Sequence, residues 1–138
     1  MKLQPTHIIG RAGELRVQSE LLLRGINSAM VAVDNGCDLI LYNGKKIQVK
    51  TSRLRPKGKY FFTFMSGTVW RKNGHRVKTP QDLSEVDFVI CWCVEDNWFF
   101  IIPTYEVTSV ALGIFRGKFP NKTKSKYAKY LNKWELLL

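Results

Sequence analysis

Asn35-Gly36-Cys37-Asp38-Leu39-Ile40-Leu41-Tyr42-Asn43-Gly44-Lys45-Lys46-Ile47-Gln48-Val49-Lys50-Thr51-Ser52 reads as a β-hairpin with an acid on one arm and an amide and a lysine on the other. The pairs Asn35-Gly36 and Asn43-Gly44 are strong turn signals, because both residue types tolerate the positive φ that tight hairpin turns need. Register decides what the arms can do together. A two-residue turn at Asn43-Gly44 sets Asp38 opposite Val49 and leaves Gln48 and Lys50 on the other face of the sheet. A three-residue loop, Tyr42-Asn43-Gly44 with Gly44 in the left-handed bulge position, sets Asp38 opposite Gln48 with Lys50 diagonally beside them. The bulged loop is the expected form, since only it gathers the three polar side chains. The plain alternative is a solvent-facing hairpin with scattered polar residues.

Upstream, Thr6 to Arg24 has helical spacing. Ala12, Leu15, Ser19 and Leu22 recur every three or four residues, with Leu21 and Leu23 widening the apolar stripe; Thr6 is placed to cap the start and Gly25 to stop the helix. Glu14 lies beside that stripe. Gly10 and Gly13 cost helix propensity one turn apart, which points to close approach by another backbone or a ligand. Ile26 to Val33 is a first strand, and both faces of the hairpin carry apolar residues, so the helix is expected to cover one side of a central sheet.

Downstream, Arg53 to Lys59 is a basic loop broken by Pro56 and Gly58, and Tyr60 to Phe64 is an aromatic strand. Asn73-Gly74 centres a second, strongly basic hairpin over 68–79, with Trp70 among its cations. Phe88-Val89-Ile90-Cys91-Trp92-Cys93 is too apolar for anything but a buried strand, Trp98 to Ile102 returns beside it, and Pro103 opens a short helix through Val107. Tyr127, Tyr130, Leu131, Trp134 and Leu137 then fall at helical spacing, which predicts a basic closing helix over 122–138 whose aromatic stripe is core rather than a base-stacking platform.

A chain of 138 residues, 45% hydrophobic and 24% charged, is expected to form one compact domain. No apolar run is long enough to span a bilayer, and Met1 to Pro5 lacks the apolar core of a signal peptide, so a cytoplasmic location is expected. Cys37, Cys91 and Cys93 suit buried thiols, not a disulfide framework or a zinc site. His7 and His75 have no evident partner. The net charge of +11 is segregated: 11 of the 22 Lys and Arg residues lie between Lys45 and Lys78 and 7 between Arg116 and Lys133, and neither stretch holds an acid. That is the footprint of a polyanion binder, with nucleic acid the expected partner and a basic surface for solubility or membrane contact the alternative.

Gly13-Glu14, Gly36-Cys37-Asp38 and Gln48-Val49-Lys50-Thr51-Ser52, in that order, resemble the PD-(D/E)XK nuclease superfamily in its Gln-x-Lys variant. Asp87-Phe88-Val89-Ile90 and Phe100-Ile101-Ile102-Pro103 also look like that group, and the resemblance covers about Gly10 to Val107. It implies an α/β, restriction-endonuclease-like αβββαβ core, a central mixed sheet with flanking helices, filling 1–138 as a single nuclease domain. It further implies a metal-dependent DNA endonuclease of homing or restriction type, with a Holliday-junction resolvase as the second reading.

On that resemblance Glu14, Asp38, Gln48 and Lys50 are the catalytic candidates. Asp38, Gln48, the Val49 carbonyl and Glu14 are the candidate ligands of Mg²⁺, or of Mn²⁺ in its place. Ser52, Arg53, Arg55, Lys57, Lys59, Arg71, Lys72, Arg76 and Lys78 are candidate contacts to double-stranded or branched DNA. One cleft per chain implies a homodimer or higher homo-oligomer for cutting both strands. Cys37 stands where a Pro often precedes the Asp, and Gln48 removes one negative charge from the site. Two readings outside enzymology, a non-catalytic nucleic-acid-binding module and a ribosomal-type RNA-binding protein, predict respectively indifference to Lys50→Ala and no meeting of Glu14 with Asp38.

Overall fold

The computed structural model describes residues 5–31, 37–70, 74, 76–118 and 126–138, except the side chains of 65–70 and 76–80. The Asn35-Gly36 turn lies outside those residues. Helix α1 runs Thr6–Leu23. Thr6 does not cap it: Pro5 precedes the first turn without a side-chain cap, and its carbonyl accepts the Ile8 and Ile9 N–H groups at 3.0 and 3.2 Å. The far end closes as expected. Gly25 takes φ +78, and the Ile26 N–H reaches back to Leu21 O at 2.8 Å while the Gly25 N–H reaches Leu22 O at 3.0 Å, the paired bonds of a Schellman stop.

The buried face of α1 is not the expected one. Gly13, Val17 and Leu21 turn inward, while Ala12, Leu15, Ser19 and Leu22 lie on the exposed side. Apolar spacing alone ranks Leu15 and Leu22 above a glycine, but close packing on the sheet needs a small residue. A Cβ at Gly13 would stand 1.7 Å from Thr51 Oγ1 and 3.0 Å from Thr51 Cβ, whereas nothing lies within 4 Å of one at Gly10. Gly→Ala inside a helix ordinarily stabilises by up to ~1 kcal/mol. We therefore expect Gly10→Ala to raise the denaturation midpoint and Gly13→Ala to lower stability by about 2 kcal/mol through overpacking against a stiff strand residue. Equal shifts in urea melts of the two variants would refute the close packing.

Strand β1 is Ser28–Met30, β2 is Leu39–Leu41 and β3 is Lys46–Ser52. The hairpin between β2 and β3 has the three-residue loop: Leu39 faces Ile47, Ile40 faces Lys46, Gly44 takes φ +88, and the Leu41 N–H donates to Lys45 O at 2.8 Å. Beyond Leu39 the ladder is not carried on regularly: the Asp38 N–H donates to Ile47 O at 2.8 Å, so Asp38 and Leu39 both lie against Ile47 and the expected pairing of Asp38 with Gln48 is not formed.

The chain continues through β4 (Lys59–Thr63), β5 (Met65–Trp70), β6 (Arg76–Pro80), β7 (Phe88–Cys93), β8 (Trp98–Pro103) and β9 (Ala111–Phe115). The main sheet has the order β1-β2-β3-β7-β8, mixed because β3 and β7 run parallel between antiparallel neighbours. The α/β class with a central mixed sheet stands. The second helix of the αβββαβ order is not found: among the described residues between β3 and β7 there are strands, turns and loops but no helix, and the basic hairpin is β5 paired with β6. Tyr60 and Phe62 alternate inward at period two, which suits a ribbon, and β4 pairs with β9 to cover the face of the sheet away from α1. β9 carried no signal strong enough to be anticipated.

Two apolar layers result. Val17 and Leu21 of α1 pack with Ile47, Val49, Ile90 and Ile101, while Tyr60, Phe62, Leu112 and Ile114 pack with Val89, Cys91, Cys93 and Phe100. All three cysteines are free and buried, as expected. The closing helix over 122–138 is also corrected: its described part forms two 3-10 turns, Ala128–Tyr130 and Trp134–Leu137, separated by Asn132 at φ +54. The edge of β8 decides this, because Asn132 donates its N–H to Phe99 O at 2.6 Å and accepts the Phe99 N–H at 3.3 Å, bonds that a continuous helix would forgo. Its aromatics are core nonetheless, with Tyr130 in one layer and Trp134 in the other.

Candidate active site

Two acids and an ammonium come together where β2 and β3 part. The Asp87 N–H donates to Lys46 O and the Val94 N–H to Ser52 O, so even-numbered residues of β3 turn their backbone toward the β7 side and odd-numbered ones toward β2. β2 extends only as far as Leu39 on that edge, which leaves Val49 beyond the reach of its ladder. Asp38 supplies the missing partner: its Oδ2 accepts the Val49 N–H at 2.8 Å. The Val49 carbonyl points to the same edge, since a strand residue's N–H and C=O share a side.

Glu14 comes to Asp38 from α1. Burial is the main reason the Asp38 carboxyl is pushed up to about 7; the Val49 N–H opposes it, hydrogen bonding and charge from Glu14 add to it, and the charge of Lys50 relieves it. Glu14 itself has a side chain only 25% exposed and accepts from Arg11 Nη1 at 3.3 Å. Two carboxyl groups are thus held together in a half-buried notch with a cation beside them.

Gln48 and Lys50 share the face of β3 turned to the β4–β9 ribbon. Gln48 is buried, and its Oε1 has no hydrogen-bond donor. An orphaned amide oxygen costs about 1–3 kcal/mol, a deficit that a cation would remove. Lys50 lays its stem along apolar surface, with Nζ 5.6 Å from the centre of the Phe64 ring. Among the described residues no three His, Cys, Asp or Glu side chains cluster. A metal ion here would therefore be held by two carboxylates and neutral oxygens, and the acid pair, the orphaned Gln48 Oε1 and the Val49 carbonyl fit a hard cation with oxygen ligands.

A cleft of about 530 Å³ opens beside this notch, between Ile9 and Gly10 of α1, Lys50 and Thr51 of β3, and Arg55 and Phe61. Of the DNA-contact candidates, Arg55 and Lys59 flank Phe61, each cation 4.9 Å from its ring, and Lys57 is exposed at φ +70. Ser52 is occupied otherwise: its hydroxyl donates to Arg53 O at 2.9 Å and accepts the Phe61 N–H at 3.0 Å. Arg53 is paired with Glu95, which also accepts the Leu54 N–H at 2.7 Å and whose carboxyl those two donors hold below the usual range against the effect of its burial. The tie spans 42 residues of chain and has no local signal. Arg71 and Lys72 lie outside the described residues, and Arg76 and Lys78 lie on β6 with side chains outside them.

A family model described as PD-(D/E)XK endonuclease matches residues 4–137. Among solved structures, that of a bacterial homing endonuclease, I-Ssp6803I, superposes with a TM-score of 0.80 at 20% sequence identity, over 98% of this chain and 94% of that chain. At that identity the likeness is one of fold. No curated protein matches the chain.

Proposed function

The chain belongs to the PD-(D/E)XK endonuclease family, and on that premise we propose that it is a Mg²⁺-dependent, site-specific DNA endonuclease of homing type, acting inside the cell as a homo-oligomer. The observation that carries the reading is the meeting of Glu14 with Asp38 at the Val49 N–H, within reach of the charge of Lys50. A ribosomal-type RNA-binding protein has no use for that convergence.

Asp38, the Gln48 amide oxygen, the Val49 carbonyl and Glu14, directly or through a water, would hold the divalent ion. When bound, such an ion polarises a phosphate oxygen and eases deprotonation of water. Asp38 is kept in one orientation by the Val49 N–H. Lys50 orients the attacking water and offsets charge that develops on the phosphate. Arg55, Lys57 and Lys59 hold the DNA backbone at the rim of the cleft, and the basic hairpin 68–79 extends the same single domain along the duplex. Arg55→Ala is expected to reduce the salt slope of DNA binding by about one and to weaken binding alike across sequences. An unchanged slope in titrations at several salt concentrations removes Arg55 from the interface.

The deciding experiment cuts labelled linear duplex, bearing a randomised library of sites, and a four-way junction in parallel, with Mg²⁺ or EDTA, using wild type and Lys50→Ala. Mg²⁺-dependent cutting of duplex that disappears in the variant is expected. Cutting confined to the junction would favour the resolvase reading. Binding without cutting, equal for both proteins, would make the chain a non-catalytic module.

A further inference from the structure

The outer face of α1 carries an apolar stripe on which none of the described residues packs closely. Ile8, Leu15 and Leu22 are 47%, 48% and 57% exposed, Ala12 and Ser19 fall between them, and Leu23 is 78% exposed at the end. The spacing, Ile8, Ala12, Leu15, Ser19, Leu22, alternates four and three residues, the period of a helix-pairing seam. It is also palindromic in size. Read from either end, a large aliphatic is followed by a small residue, with Leu15 in the middle.

We infer that two copies of this chain meet through this face, as an antiparallel helix pair with the two-fold axis at Leu15. In that arrangement Ile8 lies against Leu22 of the partner subunit, Ala12 lies against the partner's Ser19, and Leu15 meets its own counterpart. Leu23, one position beyond Leu22, falls on the flank of the stripe and extends the apolar contact. Small residues between the large ones let the helices approach to within the usual 8–10 Å.

The charges on α1 leave the seam clear. Arg16, close to the axis, is turned inward, with its guanidinium 3.0 Å from Glu20 and 5.0 Å from the centre of the Phe99 ring. Arg11, bonded to Glu14, faces the neutral Gln18 of the partner subunit. A lipid surface or an acidic partner would be matched by cations on this face. A second copy of the chain is matched by what is there.

The inference takes from the nuclease reading only its need for two sites, since a single cleft per chain cuts one strand. Glu14 adjoins Leu15, so the pairing sets the two candidate sites on either side of the axis. One helix pair buries less than the roughly 800 Å² per partner of a standard interface, and association is expected at micromolar concentration.

The test is mass and cross-linking, independent of cleavage. Sedimentation of the full chain from about 1 to 100 μM is expected to give a dimer or its even multiple, and Leu15→Glu, which sets two carboxylates face to face, is expected to shift the mass down with an unchanged thermal melt. Leu15 is exposed in the protomer, so loss of the fold is not the expected result; Leu15→Ser, milder in charge, gives a partial shift in the same direction. Leu15→Cys is expected to form a disulfide dimer under mild oxidation, as is the Ile8→Cys, Leu22→Cys double variant, while neither single variant does. The native thiols are buried and stay silent. A wild-type monomer throughout that range, a mass indifferent to Leu15→Glu and Leu15→Ser, or cross-linking by Ile8→Cys alone would overturn the proposal. Flotation of a monomer with vesicles of phosphatidylglycerol would assign the face to lipid instead.

Discussion

Lys50→Met is expected to lower the rate of DNA cleavage by about a thousandfold at saturating DNA and Mg²⁺ while changing DNA binding in EDTA by less than about threefold. Methionine keeps the apolar stem that lies near the Phe64 ring and removes only the ammonium, so packing and charge are separated. A single donor aimed at charge that develops in the transition state contributes about 10²–10³-fold, and a group that also orients the nucleophile adds to that. Lys50 acts on its neighbours already, lowering the pKa of Asp38 across the notch. Lys50→Arg should not rescue the rate, because a planar fork cannot occupy the place of a compact ammonium. Single-turnover cleavage and equilibrium binding of the same duplex check the split. A variant that cuts at the wild-type rate, or one whose loss lies wholly in binding, would remove Lys50 from the chemistry.

Asp38→Asn is expected to abolish cleavage and to make the metal-free protein more stable at pH 8 by about 2 kcal/mol, a rise in Tm of roughly 6 °C. Asparagine still offers an oxygen to the Val49 N–H, so the bond that orients the side chain remains. What disappears is the charge. The Asp38 carboxyl titrates near 4 in the unfolded chain and is pushed up to about 7 in the folded one, so the folded state holds a proton that the unfolded state has lost between those values. Its contribution to stability is complete below about pH 4 and is lost as pH rises through 7, the reverse of an acid in a salt bridge. About three pH units correspond to roughly 4 kcal/mol, discounted here for the partial water access of the notch.

Wild type in EDTA should therefore melt lower at pH 8 than at pH 5, and the variant should lack most of that slope. Glu95, held below the usual range, titrates beneath this window. Adding Mg²⁺ should stabilise wild type and not the variant, since a ligand that binds only the folded state raises its stability by mass action. Denaturant midpoints at the two pH values, with and without Mg²⁺, measure all of this. A variant less stable than wild type at pH 8 would show that Asp38 is not a strained acid waiting for a cation.

The hairpin was legible because its information is local. Asn43-Gly44 sets the loop, and the loop sets the register of Leu39 with Ile47 and of Ile40 with Lys46, whereas the seat of Asp38 on the Val49 N–H depends on the break in the ladder beyond Leu39. The stop at Gly25 and the apolar strands β7 and β8 were local in the same sense. The buried side of α1 was not, because Gly13 becomes the better contact only once Thr51 stands opposite it. The C-terminal stretch has helical spacing, but the open edge of β8 offers its backbone better partners.

By itself, then, the sequence determined the class of the protein, the segregation of its positive charge and the side chains that face one another across a single hairpin, all set by separations of a few residues. Only the tertiary structure decided that Glu14 reaches Asp38, that Glu95 pairs with Arg53, and that the strongest apolar stripe of α1 is left outside. Those outcomes depend on which of several chemically adequate partners can approach closely enough, and packing distance between remote segments is not written in the spacing of either one.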